Sequence, residues 1–322
     1  MIRWGSHGVR NPPGFFTMRA IILGAAAGGG FPQWNCGCAL CARSRAGDPA
    51  ATPRTQCCVA VSSDGSDWVL LNAPPELLQQ ISRTPSLQPR VVGRDSPIAA
   101  VILTGGEIDA ITGLLNLREG HEFAIYAGPA VLDVLAANPI FGALPTSRVP
   151  RRSMPLGVGV ELDDARGKVI GLTVEAFAVP GKVPLFSELG ADPGRSDDGV
   201  TIGLHLTDGT ESLYFIPGCA EMTPALRDRL RGADLVLFDG TLWRDDEMSQ
   251  AGLGTKTGRR MGHMSISGQG GTIDSFADLG VRRRVLIHLN NTNPALLTCS
   301  PERAELLEAG WEVAVDGMEL FA

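Results

Sequence analysis

Three cysteines, Cys36, Cys38 and Cys41, fall within six residues in the run Phe31-Pro-Gln-Trp-Asn-Cys-Gly-Cys-Ala-Leu-Cys. They follow directly on a hydrophobic segment and a glycine-rich turn, residues 18–30. That spacing lets one short loop aim three sulfurs at a single point, and thiolates so placed are the usual ligands of a tetrahedral zinc ion. A chain built this way is expected to fold around at least one metal. Three ligands leave a tetrahedron one short, so the fourth must come from elsewhere in the chain, from water or from another protein.

The other four cysteines do not extend the cluster. Cys57 and Cys58 are adjacent in an expected strand and so point to opposite faces. At most one of them could reach the metal, and core packing is the expectation for both. Cys219 and Cys299 are single thiols, suited to simple burial. Seven cysteines in 322 residues, an odd number with a tight cluster, do not make a disulfide scaffold. They suit reduced thiols, and a cytoplasmic location is the expectation.

Apolar residues make up 44% of the chain and charged residues 20%, enough to fill a large core and too few charges for a disordered chain. The formal charge, 28 − 35 = −7, disfavours nucleic acid or an anionic membrane as partner. The basic runs at 282–284 and 256–260 read as solvated surface. No apolar run reaches the roughly 18 residues of a membrane span. Residues 1–17 lack periodicity and an apolar signal region. They are expected to be a disordered leader or a consequence of start-site choice, with residues 18–322 forming a single domain.

Short β-rich runs recur at 19–24, 57–62, 68–72, 99–104, 122–127, 170–178, 201–206, 213–216, 235–238 and 284–289. Several are continuously apolar, as in strands buried on both faces. Helical patterns fall at 75–83, 109–118, 130–137, 223–231, 270–279 and 301–309. Strands come first as a meander and then alternate with helices, and the pattern repeats loosely in the second half. This predicts sheets in the middle with helices outside, an α/β layered domain. Residues 190–198 are the expected mobile loop.

Several single residues have the setting of a site. Glu107 and Asp109 follow an expected strand ending at Thr104; alone, Asp109 reads as an acid in the first turn of a helix. Asp239 stands at a strand end, where sites collect in α/β sheets. His288 ends a hydrophobic strand before a polar loop, and His263 lies next to a glycine. His121 and His205 have no such setting and read as structural or surface residues. The run Gly24-Ala-Ala-Ala-Gly-Gly-Gly lacks the spacing of a dinucleotide loop. Its glycines instead let the backbone pass close to the cysteine loop.

Taken together, the chain resembles the PqqB family of pyrroloquinoline quinone (PQQ) biosynthesis, within the metallo-β-lactamase superfamily. The carrying segments are the glycine-rich turn with the cysteine run, Pro53-Arg-Thr-Gln, Leu71-Asn-Ala, Gly113-Leu-Leu-Asn-Leu-Arg-Glu-Gly and Val179-Pro-Gly-Lys-Val-Pro. They continue with Ile216-Pro-Gly-Cys-Ala, Phe238-Asp-Gly-Thr, Gly254-Thr-Lys-Thr-Gly, Met261-Gly-His and His288-Leu-Asn-Asn-Thr-Asn-Pro. The resemblance implies an αββα sandwich of two mixed sheets flanked by helices. It implies a structural Zn2+ on Cys36, Cys38 and Cys41, with Asn291 at the position that completes the site. It also implies an active-site metal, for which Asp109 and His288 are the expected ligands and Glu107 a ligand or catalytic base, with Asp239 and His263 as proton-transfer or supporting groups. The position of an expected histidine holds Ala110, which cannot ligate a metal. Two carboxylates and one imidazole favour Fe2+ or Mn2+ over Zn2+.

The implied activity is iron-dependent hydroxylation of a tyrosine-derived ring in a peptide-derived PQQ precursor. The alternatives are a non-catalytic carrier of PQQ or its precursor, and a divergent paralogue acting on another peptide-derived product. A superfamily hydrolase is the weakest, because Gly105, Glu107 and Ala110 lack the imidazoles of a two-zinc hydroxide site. PQQ or its precursor is the expected partner, with a homodimer left open.

Overall fold

The computed structural model describes residues 18–182 and 201–321. The 1–17 leader and the loop expected at 190–198 lie outside the described residues. The strands are β1 (Arg19–Gly24), β2 (Cys58–Ser62), β3 (Trp68–Leu71), β4 (Ile98–Leu103), β5 (Ala124–Ala127), β6 (Arg151–Ser153) and β7 (Gly159–Asp163). They continue as β8 (Val169–Ala178), β9 (Ile202–Thr207), β10 (Ser212–Ile216), β11 (Leu235–Asp239), β12 (Arg283–Ile287), β13 (Trp311–Val313) and β14 (Glu319–Phe321). They form two seven-stranded sheets, ordered β14-β1-β2-β3-β4-β5-β6 and β13-β12-β11-β10-β9-β8-β7.

The loose repeat expected from the sequence is present in the topology. The first half opens with antiparallel pairing from β1 to β3 and then runs parallel from β3 to β6. The second half opens antiparallel from β7 to β10 and runs parallel from β10 to β13. Two mixed sheets with helices outside make the expected sandwich.

The continuous apolar runs are explained by burial on both faces. Along β4, Ala100 and Ile102 face the core between the sheets, whereas Val101 and Leu103 face the outer helices. The inner core joins Ile22, Val59 and Leu71 of one sheet to Leu204, Phe215 and Val285 of the other. Each such side chain contributes about 1.5–3 kcal/mol on burial. A second outer core packs Phe238, Phe276 and Trp311 edge to face, with ring centroids 4.9 Å apart for the two pairs that include Phe276.

Helix α1 (Ala39–Arg45) carries Cys41, and α2 (Leu77–Arg83) matches the pattern expected at 75–83. The helix expected over 109–118 does not form as one piece. Helix α3 covers only Ile108–Ile111 and gives way to a 3-10 turn over Thr112–Leu117. The Ala110 carbonyl, which would continue the helix, instead accepts the Ala73 N–H at 2.7 Å. Gly113 donates to the Ala73 carbonyl at 2.8 Å, and a Cβ there would lie 2.1 Å from the Pro74 carbonyl. Tertiary contact with residues 73–74 thus wins over helical propensity. The pattern at 270–279 likewise shortens to a helix over Thr272–Phe276. Four strands had no sequence signal: β6, β13 and β14 are three residues long, and β7 is largely exposed.

Candidate metal centres

The cysteine loop begins where β1 ends. Ala26 bridges both Gln56 and Leu289, so the glycine-rich turn stitches the two sheets together at one rim. Gly24 lets it do so: a Cβ there would lie 2.0 Å from the Gln56 carbonyl. The stitch lays the loop of residues 31–41 beside the loop that follows β12. The Cys36, Cys38 and Cys41 ligand atoms all lie within 4.8 Å of one another. Asn291 is buried against them, its Nδ2 3.1 Å from Cys36 Sγ and 3.4 Å from Cys41 Sγ. A half-turn of the amide exchanges Nδ2 for Oδ1, the atom able to ligate a cation. Soft thiolates with one carbonyl oxygen suit Zn2+.

Cys57 and Cys58 take no part in this cluster. Cys57 packs into the core between the sheets and Cys58 into the outer core, so they do point to opposite faces. Cys219 is buried and Cys299 exposed, and none of the seven forms a disulfide.

The second constellation lies at the same rim, where parallel strands β4, β10, β11 and β12 end. Asp109, His263 and His288 line an open cavity of about 600 Å³ there. Asp239, His263 and His288 bring their ligand atoms within 4.8 Å of one another. Asp109, in the first turn of α3, reaches across from the other sheet and places Oδ2 3.4 Å from His288 Nε2. Asp239 is fully buried at the end of β11. Its Oδ2 accepts from the Cys219 N–H at 2.8 Å and faces His263 Nδ1 at 2.8 Å. Its Oδ1 accepts from the Thr241 N–H at 3.0 Å and from its hydroxyl at 2.6 Å. The imidazoles of His263 and His288 stack with centroids 5.3 Å apart.

Burial acts against both charges of the Asp109–His288 pair. It drives the carboxyl up and the imidazole down, but their hydrogen bond and mutual attraction outweigh it. Asp109 is held below its ordinary value, and His288 is raised with help from Asp239 and Glu107. Glu107 lines the same cavity, with Lys182 Nζ 3.8 Å from its Oε1. Ala110 lines the cavity with a methyl group and no donor. His263, expected as a proton-transfer or supporting group, lies within this constellation. His121 bonds the Ile98 carbonyl and His205 stacks on Tyr214, as expected of structural histidines.

Two contributors carried no individual signal. Thr241 touches Asp239 and both histidines, yet its only mark in sequence is its place two residues after a strand-end acid. Glu247 accepts from the Trp243 N–H at 2.7 Å and from the Thr292 hydroxyl, joining the loop after β11 to the loop after β12. No spacing marks it.

Residues 67–289 match the beta-lactamase superfamily domain. The chain is 61% identical to Coenzyme PQQ synthesis protein B of Gluconacetobacter diazotrophicus, over 93% of this chain and 98% of that protein. It is 52% identical to the protein of that name from Xanthomonas axonopodis pv. citri, over 94% of this chain and 99% of that one. Among solved structures, the Zn2+-bound PqqB of Methylobacterium extorquens superposes with a TM-score of 0.90 at 46% identity, covering 94% of this chain and all of that one. A diphosphatase of the PhnP family shares the fold alone, with a TM-score of 0.65 at 20% identity over 94% of this chain and 96% of that chain.

Proposed function

The chain belongs to the Coenzyme PQQ synthesis protein B family, a family of PQQ biosynthesis, and we propose that its rim cavity is a metal-dependent oxygenase site acting on a tyrosine-derived ring of the peptide-derived precursor. Asp109 and His288 are the proposed ligands of the rim metal, with Glu107 as a further ligand or base. Asp239 and His263 are the groups that hold or move a proton beside it. The cysteine site with Asn291 is the structural zinc. The observation that carries the proposal is the meeting of Asp109 Oδ2 and His288 Nε2 at 3.4 Å across the two sheets, inside an open cavity. Oxygen and imidazole donors of this kind suit Fe2+ or Mn2+, whose chemistry needs coordination positions left for oxygen or substrate. The chain's own part is to hold those donors on loops and a helix turn that meet across the two sheets.

Two observations favour a second reading, a non-catalytic carrier of PQQ or its precursor. Ala110 offers the cavity no ligand, and Glu107 already has a lysine beside it. Metal analysis after anaerobic purification separates the two. The oxygenase holds about one zinc and one iron per chain and consumes oxygen with a tyrosine-like precursor. The carrier holds the cysteine-site zinc alone and binds PQQ tightly without turnover.

A further inference from the structure

The Thr241 hydroxyl stands against the Nδ1 atom of both rim histidines. Its oxygen lies 2.6 Å from Asp239 Oδ1, 3.0 Å from the His288 carbonyl oxygen, 2.8 Å from His288 Nδ1 and 3.0 Å from His263 Nδ1. A hydroxyl has one proton to give and two lone pairs to receive with. The two oxygens near it can only accept, because Asp239 already receives two backbone N–H groups and is the partner of His263 as well. The hydroxyl proton therefore goes to oxygen, along the short contact to Asp239. His288 Nδ1 is then left facing a lone pair and must carry the hydrogen itself. The same count applies to His263. Its Nδ1 faces Asp239 Oδ2 at 2.8 Å, an acceptor, so that nitrogen is the protonated one.

We infer that Thr241 is a positioning residue, which keeps a hydrogen on His288 Nδ1 and so leaves Nε2, the nitrogen 3.4 Å from Asp109 Oδ2, as the one at which a divalent cation replaces the proton shared with Asp109. The inference rests on the rim cavity being a metal site. A free imidazole has no such constraint on its tautomer, and a metal-bound histidine is oriented by the partner of its other nitrogen. Here that partner is a side chain whose own proton is committed elsewhere, an arrangement that Asp239, buried and anchored by four contacts, keeps in register.

The tautomers are read directly from 15N-histidine spectra of the full chain after chelation of rim-bound metal, at about pH 9, above the imidazole range. Hydrogen on Nδ1 of both His263 and His288 is expected, and a His288 whose Nδ1 carries no hydrogen overturns the inference whether or not the cavity takes a metal. Mn2+, a hard cation ill suited to thiolates, then probes the rim site by electron paramagnetic resonance. Thr241→Val should weaken Mn2+ binding about 10- to 100-fold, as loss of a ligand's supporting hydrogen bond does. Thr241→Ser, which keeps the hydroxyl, should bind as the unaltered chain does. Equal binding by the valine variant, or equal loss in the serine variant, would overturn the role of the hydroxyl. If the unaltered chain itself takes up no Mn2+, the metal reading of the cavity fails, and the spectra alone then decide the tautomer. Should Thr241→Val not fold, the spectra and Thr241→Ser still give the answer.

Discussion

His288 leaves β12 with φ at 62°, in the left-handed region that costs a residue with a Cβ about 1–3 kcal/mol. That turn of the backbone sends its carbonyl toward the Thr241 hydroxyl and its ring toward Asp109. Such strain persists only where neighbours impose it, and here the neighbours are the groups of the rim site. The pairing also sets the charge state: Asp109 stays ionised because His288 compensates its burial. Asp109→Ala should therefore remove the rim metal while the cysteine-site zinc stays, as measured by metal analysis of the purified variant. Loss of both metals together would mean that the two centres are not separate.

At the scale of elements, the rim is a set of short loops after parallel strands, each held by contacts to a loop from elsewhere. Residues 110–113 are held by residues 73–74 rather than by their own helix. A methyl group at position 113 would strike the Pro74 and Ala73 carbonyls, at 2.1 and 2.7 Å. Backbone cannot retreat as a flexible side chain can, so Gly113→Ala should cost at least the ~1–3 kcal/mol of an overpacked core, read as a lowered denaturation midpoint. The loops after β11 and β12 are joined through Glu247. Burial pushes its carboxyl up to about 7 against the opposing hydrogen bonds from Thr292 and Trp243. A raised carboxyl favours the neutral acid in the folded state. Its stability contribution is thus complete below about 4.5 and is lost as pH rises through 7. Glu247→Gln mimics the neutral acid and should flatten that decline, gaining on the order of 3 kcal/mol at alkaline pH. Melting temperatures across this range test it; parallel pH curves for the two proteins would refute the assignment.

At the scale of the whole molecule, the cysteine centre joins segments 250 residues apart or more, Cys36 and Cys41 near the start and Asn291 near the end. The same contact closes the rim on which the second centre is built. Cys38→Ser should release the zinc and lower the melting temperature by roughly 5–10 °C, the effect of a few kcal/mol in a domain of this size. Zinc loss with unchanged melting would show that the ion is not structural. Among the described residues no helix is long and apolar enough to cross a membrane.

What the chain's order of residues determined is whatever depends on neighbours in sequence. Three thiols within six residues converge because one loop carries them. The apolar runs at 99–104 and 235–238 announce doubly buried strands because both of their faces are apolar. The folded chain alone decided which distant groups meet. Asp109 and His288 are 179 residues apart, and their approach follows from the stacking of two sheets with their strand ends at a common rim. The break of the 109–118 helix and the place of Thr241 were decided the same way. A carbonyl captured by another loop, or one hydroxyl shared among an acid and two imidazoles, has no periodicity or spacing to mark it, since its partners are chosen by packing rather than by position along the chain.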